Sequence, residues 1–181
     1  MYGLVNRAIE GLVRQQFGDD AWGKVCERAG MERPTFVAME TYDDAITFGL
    51  VAAASAELGL EPHDVLEAFG EFWTSYTIEE GYGDLLSMMG NTLDEFLDNL
   101  DTMHARIGGT MPELVPPSFE REPQDDGSSI LHYRSTRVGL APMVIGLVRG
   151  LAKRYGVVID VQHIEEVEAG HHRFSIREVK D

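Results

Sequence analysis

Cysteine is nearly absent from this chain. Cys26 is the only one in 181 residues, so no internal disulfide can form and a reducing cytoplasm is the expected compartment. It sits beside Val25 in a helical stretch and reads as a small core filler. Basic residues are also scarce. Fifteen Lys and Arg face thirty-one Asp and Glu, a formal net charge of −16. Such a field repels a nucleic-acid backbone, and no Lys/Arg cluster offsets it. An acidic surface serves solubility or docks on a basic partner face. Long apolar runs are missing as well. No segment approaches the roughly 20 apolar residues of a membrane span. The first 17 residues are amphipathic, without the basic start, apolar run and small-residue cleavage site of a secretory signal. Repeats and low-complexity segments are absent.

What is present is an ordinary globular composition, 44% apolar and 25% charged, enough for a core and an internal pocket in one domain or one domain with two subdomains. The first two-thirds reads as helix. Leu4, Val5, Ala8, Ile9, Leu12 and Val13 recur at helical steps up to Gly18. Asp19 and Asp20 open a second helix, residues 42–58 form a third closed by Gly59, and Pro62 begins a fourth. Thr92-Leu93-Asp94-Glu95 is a capping box, with Thr92 as cap and Glu95 reaching back to its N–H. It predicts one helix through Ile107, stopped by Gly108-Gly109. After the connector marked by Pro112, Pro116 and Pro117, strands are predicted at 118–121, 130–135, 157–161 and 174–179, the last two around a polar turn at 168–170. A helix over 142–155 separates the two pairs. The expected class is α+β: a helical N-terminal subdomain (about 1–60), then the capped helix and a small, four-stranded antiparallel sheet with a packed helix (about 61–181).

Two features carry chemistry. His104 lies on the apolar stripe formed by positions 93, 96, 97, 100, 104 and 107. A buried imidazole needs a partner, whether a backbone carbonyl, a metal or a haem iron. The second feature is Tyr133-Arg134-Ser135-Thr136-Arg137. On a strand, Tyr133 and Ser135 share a face, and Arg137 continues the line if the strand extends that far. A phenol, a hydroxyl and a guanidinium together suit carboxylates, although an exposed strand face with ordinary hydrogen bonds has the same pattern. Taken together, the features meet the needs of a non-covalent haem: an axial ligand and a grip for two propionates. No C-x-x-C-H is present for covalent attachment.

With these residues in view, the chain resembles the H-NOX family, the haem nitric oxide/oxygen-binding domains related to the sensor domain of soluble guanylate cyclase, and in detail the stand-alone cyanobacterial members. The likeness rests on Met1-Tyr2-Gly3-Leu4-Val5-Asn6, Leu100-Asp101-Thr102-Met103-His104-Ala105-Arg106, Pro116-Pro117-Ser118-Phe119 and the Tyr133–Arg137 motif. It implies haem b, with His104 as proximal iron ligand and Tyr133, Ser135 and Arg137 as propionate clamp. Pro117 matches the proline that presses on the macrocycle. Met143 falls where oxygen-binding members place a tyrosine, Trp73 matches a second distal position, and Val5 and Leu147 are apolar lining or core. The resemblance further implies nitric oxide and carbon monoxide as ligands without stable oxygen binding. It implies loss of the iron–histidine bond as the switch. Because no output domain follows residue 181, the expected partner is a separate protein such as a histidine kinase or diguanylate cyclase, and the chain itself is not an enzyme. A peroxidase-like enzyme and a haem-free ligand sensor are the rival readings. The first lacks a distal acid or base, since Trp73 and Met143 supply none, and His132 should face away from the clamp. His163, His171 and His172 are expected on the surface near the polar turn.

Overall fold

The computed structural model describes residues 1–32 and 34–179. Among the described residues, eight α-helices precede or interrupt a four-stranded sheet, in an α+β arrangement. Helix α1 (Gly3–Phe17) buries Leu4, Ala8, Ile9, Leu12 and Val13 along one face, the stripe its spacing dictates. Helices α2 (Asp19–Arg28), α3 (Asp44–Leu58) and α4 (Pro62–Thr77) follow, α4 with Pro62 in its first turn, where the missing N–H costs nothing. A short π-helical turn (Ile78–Tyr82) leads into α5 (Gly83–Ser87).

The next helical stretch differs from expectation. It is two helices, α6 (Leu93–Asp98) and α7 (Leu100–Gly108), broken at Asn99, whose backbone sits at φ −99°, ψ 0°. The Asn99 amide donates to the carbonyls of Met89 (3.0 Å) and Glu95 (2.9 Å). A short polar side chain bonded to local backbone competes with the helical ladder. The cap also departs from the expected reciprocal pair. Thr92 Oγ1 accepts from the Glu95 N–H (3.2 Å), but the Glu95 carboxylate accepts from Asn91, not Thr92 (2.7 Å). Thr92→Ala should lower stability by about 1 kcal/mol, read as a shifted urea midpoint at constant slope.

Strands β1 (Ser118–Pro123), β2 (Ser129–Arg134), β3 (Ile159–Glu168) and β4 (His171–Glu178) form an antiparallel sheet of order β1-β2-β4-β3. The final hairpin is longer than its apolar residues predicted. Two bulges, between His163 and Glu165 and between Glu166 and Glu168, break the alternation of β3, and its outer residues are charged, so the period-2 signal fades where the strand continues.

Helix α8 (Ala141–Tyr155) lies across α4. The two backbones nearly touch: a Cβ on Gly146 would lie 1.9 Å from the Glu67 carbonyl oxygen, and one on Gly70 would lie 2.1 Å from that of Met143. Only glycine permits this approach. Two hydrophobic cores result. One gathers α1–α4 with Phe36 and Met111; the other gathers α6, α7 and α8 against Phe119, Leu131, Tyr133, Phe174 and Ile176 of the sheet. Between them lies a cavity.

Candidate functional site

The cavity has a volume of about 300 Å³ and an overwhelmingly apolar wall. Nine residues singled out from the sequence line it: Val5, Trp73, His104, Pro117, Tyr133, Ser135, Arg137, Met143 and Leu147. They come from α1, α4, α7, the prolyl connector, β2 with the turn after it, and α8. Residues as far apart as 5 and 147 thus meet at one site.

His104 projects from α7 beside Phe119, ring centroids 6.0 Å apart. Burial lowers its pKa, opposed by the Asp101 carboxylate and the Pro117 backbone. The neutral form is therefore favoured, and a neutral imidazole has a lone pair to give. Its Nδ1 is buried and has no hydrogen-bond partner, a costly state unless something else engages the ring. Asp101, missed by sequence reasoning, fixes the helix that carries this ring. Its carboxylate accepts from the Phe119 N–H (2.8 Å) and the Ser118 hydroxyl (3.1 Å), joining α7 to β1.

Tyr133 is buried, 4% exposed. Burial raises the pKa of its phenol, while the Ser135 hydroxyl and the Arg137 charge act in the opposite sense. Ser135 lies just past the end of β2, with its N–H on the Gly170 carbonyl (2.8 Å). The expectation for Arg137 needs correction in its route, since β2 ends at Arg134 and the chain then turns. The Ser135 hydroxyl accepts from the Arg137 N–H (3.0 Å) in that turn, which brings the guanidinium to the cavity edge without an extended strand.

There Arg137 already grips a carboxylate. Its Nε donates to Asp44 Oδ2 (2.7 Å) and an Nη donates to the Val115 carbonyl (2.7 Å). Asp44 also accepts from the Met1 ammonium (2.5 Å). Burial works against the charged form of Asp44, yet these two cations hold its carboxyl below the usual range. Asp44 opens α3 behind Asp43, whose side chain caps the helix through the Ala45 N–H (2.8 Å). In sequence the Asp pair signals only a helix start, so its link to Arg137 was not legible.

His132 faces away from the cavity, as expected, and its Nδ1 lies 3.0 Å from His171 Nε2 on the outer face of the sheet. His163 is exposed, but His171 and His172 are mostly covered, 13% and 12% side-chain exposure. The expectation of surface histidines thus fails for the adjacent pair, because cross-strand neighbours cover both rings.

The donor set fits a haem. An apolar slot accepts the macrocycle, an uncommitted buried imidazole nitrogen marks a ring able to ligate iron, and a guanidinium holding a carboxylate sits at the edge where propionates would lie.

The family model described as Haem-NO-binding matches residues 2–163. Two soluble guanylate cyclases of Caenorhabditis elegans are similar: gcy-32, 37% identical over 85% of this chain, and gcy-35, 33% identical over all of it. The chain spans only 23% and 28% of their respective lengths. Among solved structures, the Shewanella oneidensis H-NOX protein in its Fe(II)NO state superposes with a TM-score of 0.87 at 21% identity, covering 99% of this chain and 100% of that one. An oxygen-binding H-NOX domain in its oxygen complex gives 0.80 at 21% identity, covering 98% and 94%. At such identities these likenesses establish the fold.

Proposed function

The chain belongs to the haem-NO-binding family, gas-sensor domains related to soluble guanylate cyclases, and on that premise we propose that it senses nitric oxide through ferrous haem b. His104 is the iron ligand, Tyr133, Ser135 and Arg137 hold the propionates, and Pro117 bears on the macrocycle. The observation that carries this reading is the convergence of all these side chains on one apolar cavity. When bound, the haem would supply an iron, held by His104, that can take a diatomic gas.

The distal residues set the gas. Met143, on α8, has a thioether that donates no hydrogen bond, so a polar bound oxygen gains nothing from it. Trp73 packs between Phe69 and Tyr76, ring centroids 5.9 and 6.3 Å away, and shapes the same wall. Nitric oxide and carbon monoxide, which need no such donor, are the expected ligands.

The chain's own residues provide the output. Any movement of α7, which carries His104, would reach β1 through the Asp101 bonds to Phe119 and Ser118. Arg137 and Asp44 connect the clamp to α3, so the two cores can change their relation. Such a change requires a free-energy difference between liganded and unliganded forms. From the family resemblance we further propose that the chain acts as a sensor for a signalling protein such as a histidine kinase or diguanylate cyclase.

Absorption spectra of the ferrous haem-loaded protein test the reading. Nitric oxide should give a five-coordinate nitrosyl spectrum, and aerated buffer should give no lasting oxy spectrum. A six-coordinate nitrosyl with His104 retained would defeat the switch, and a persistent oxy form would defeat the selectivity.

A further inference from the structure

Three strands set Phe119, Tyr133 and His172 in one row, since Phe119 pairs with Tyr133 and Tyr133 with His172. The phenol ring lies between the other two, with centroids 5.4 Å from Phe119 and 6.1 Å from His172. His172 is held from its far side. Its Nδ1 is 3.1 Å from Nε2 of His163 on β3, and its Nε2 is 3.7 Å from Glu166 Oε1. The His163 ring packs on Phe174 at 5.1 Å. Glu166 Oε1 also accepts from the Gly170 N–H (3.0 Å), and the Gly170 carbonyl accepts from the Ser135 N–H (2.8 Å). One short hairpin therefore backs both Tyr133 and Ser135.

The contact between the two imidazoles has a definite proton requirement. An N–H···N bond holds one hydrogen in the gap. Glu166 favours a hydrogen on Nε2 of His172, which leaves Nδ1 to accept from His163. A first added proton can enter at His163 Nδ1, on an exposed residue, and the bond survives. A second, on His172, sets two N–H groups against each other 3.1 Å apart, and the bond is lost. The groups around His172 are Glu166 and His163 on β3 and Tyr133 on β2, with the Arg137 charge beyond the phenol.

We propose that His172, held between Tyr133 and His163, is a positioning residue for the Tyr133 phenol and loosens the grip on bound haem as the medium becomes acidic. This rests on the reading that Tyr133 holds a propionate. Protonation breaks the histidine pair, the His172 ring leaves the flank of Tyr133, and the phenol loses its fixed place.

The test is the rate of haem transfer from the ferric holoprotein to excess apomyoglobin at about pH 7.5 and pH 5.5. The wild type, His172→Phe and His163→Gln are compared. Phenylalanine keeps a ring beside Tyr133 without titrating, and glutamine removes the imidazole that holds the His172 ring at Tyr133. Acid release through His104 is common to all three and cancels in the comparison. The wild-type rate should rise about tenfold on acidification, equivalent to roughly 1.4 kcal/mol. His172→Phe should flatten that rise to about twofold, and His163→Gln should be faster at the higher pH with little further rise. If haem loads normally and both variants keep the wild-type acceleration, this inference is overturned alone. If the wild type never loads haem, the reading of the site falls and takes this inference with it.

Discussion

His104→Gly is expected to yield a folded protein that no longer retains haem, with the Soret band restored when imidazole is added to the medium. The expectation follows from where the ring sits. His104 brings a neutral imidazole, the only histidine on the lining, to a largely apolar cavity. Removing the outer partner of a metal ligand already costs about 10- to 100-fold in metal affinity, and removing the ligand itself should cost more. The fold should survive, because α7 is anchored independently by Leu100 and Met103 in the core and by Asp101 on β1. Far-ultraviolet dichroism checks this part. A glycine variant that kept its spectrum and gas response with no added imidazole would end the assignment of His104.

Arg137→Ala should weaken haem binding by about 10- to 100-fold, since hydrogen bonds to charged groups contribute roughly 1.5–3 kcal/mol. Arg137→Lys should recover only part of the loss, because an ammonium keeps the charge without the planar fork. The arginine has a second duty that complicates a stability measurement, namely its bond to Asp44 across 93 residues of sequence. Asp44→Asn separates the two. It removes the structural tie and leaves Arg137 for the cofactor, so haem affinity should stay closer to wild type than in Arg137→Ala. Haem titration followed by absorbance gives each value. Equal affinity in wild type and Arg137→Ala would remove this residue from the clamp.

The helical half of the molecule was legible because its apolar residues recur at steps that one helix face requires. Chain order and the α+β class followed from that pattern and the later strand signals. Detail was lost wherever a side chain acted at long range or a pattern was interrupted. Asn99 carries no signal strong enough to divide 93–107, because its effect depends on the Met89 carbonyl ten residues away. The last hairpin outran its prediction because the bulges of β3 disturb the alternation on which strand recognition rests. Within the site, alternation put Tyr133 and Ser135 on one face, the family resemblance gave them a role, and both line the cavity. Arg137 reached the expected place by a turn. The roles of Asp44 and Asp101 depend on partners that only the folded chain brings near, and His172 shows its contact with Tyr133 only once β2 and β4 are paired.

The irregular outer strand has one more consequence, for solubility. β3 is an edge of the sheet, and on it Ile164 and Val167 are 47% and 52% exposed, which would otherwise invite another chain to add itself. Its kinks spoil the straight template such an addition needs, and Glu165, Glu166 and Glu168 present repelling charge to any second copy. Both features disfavour the addition of a further strand at the β3 edge.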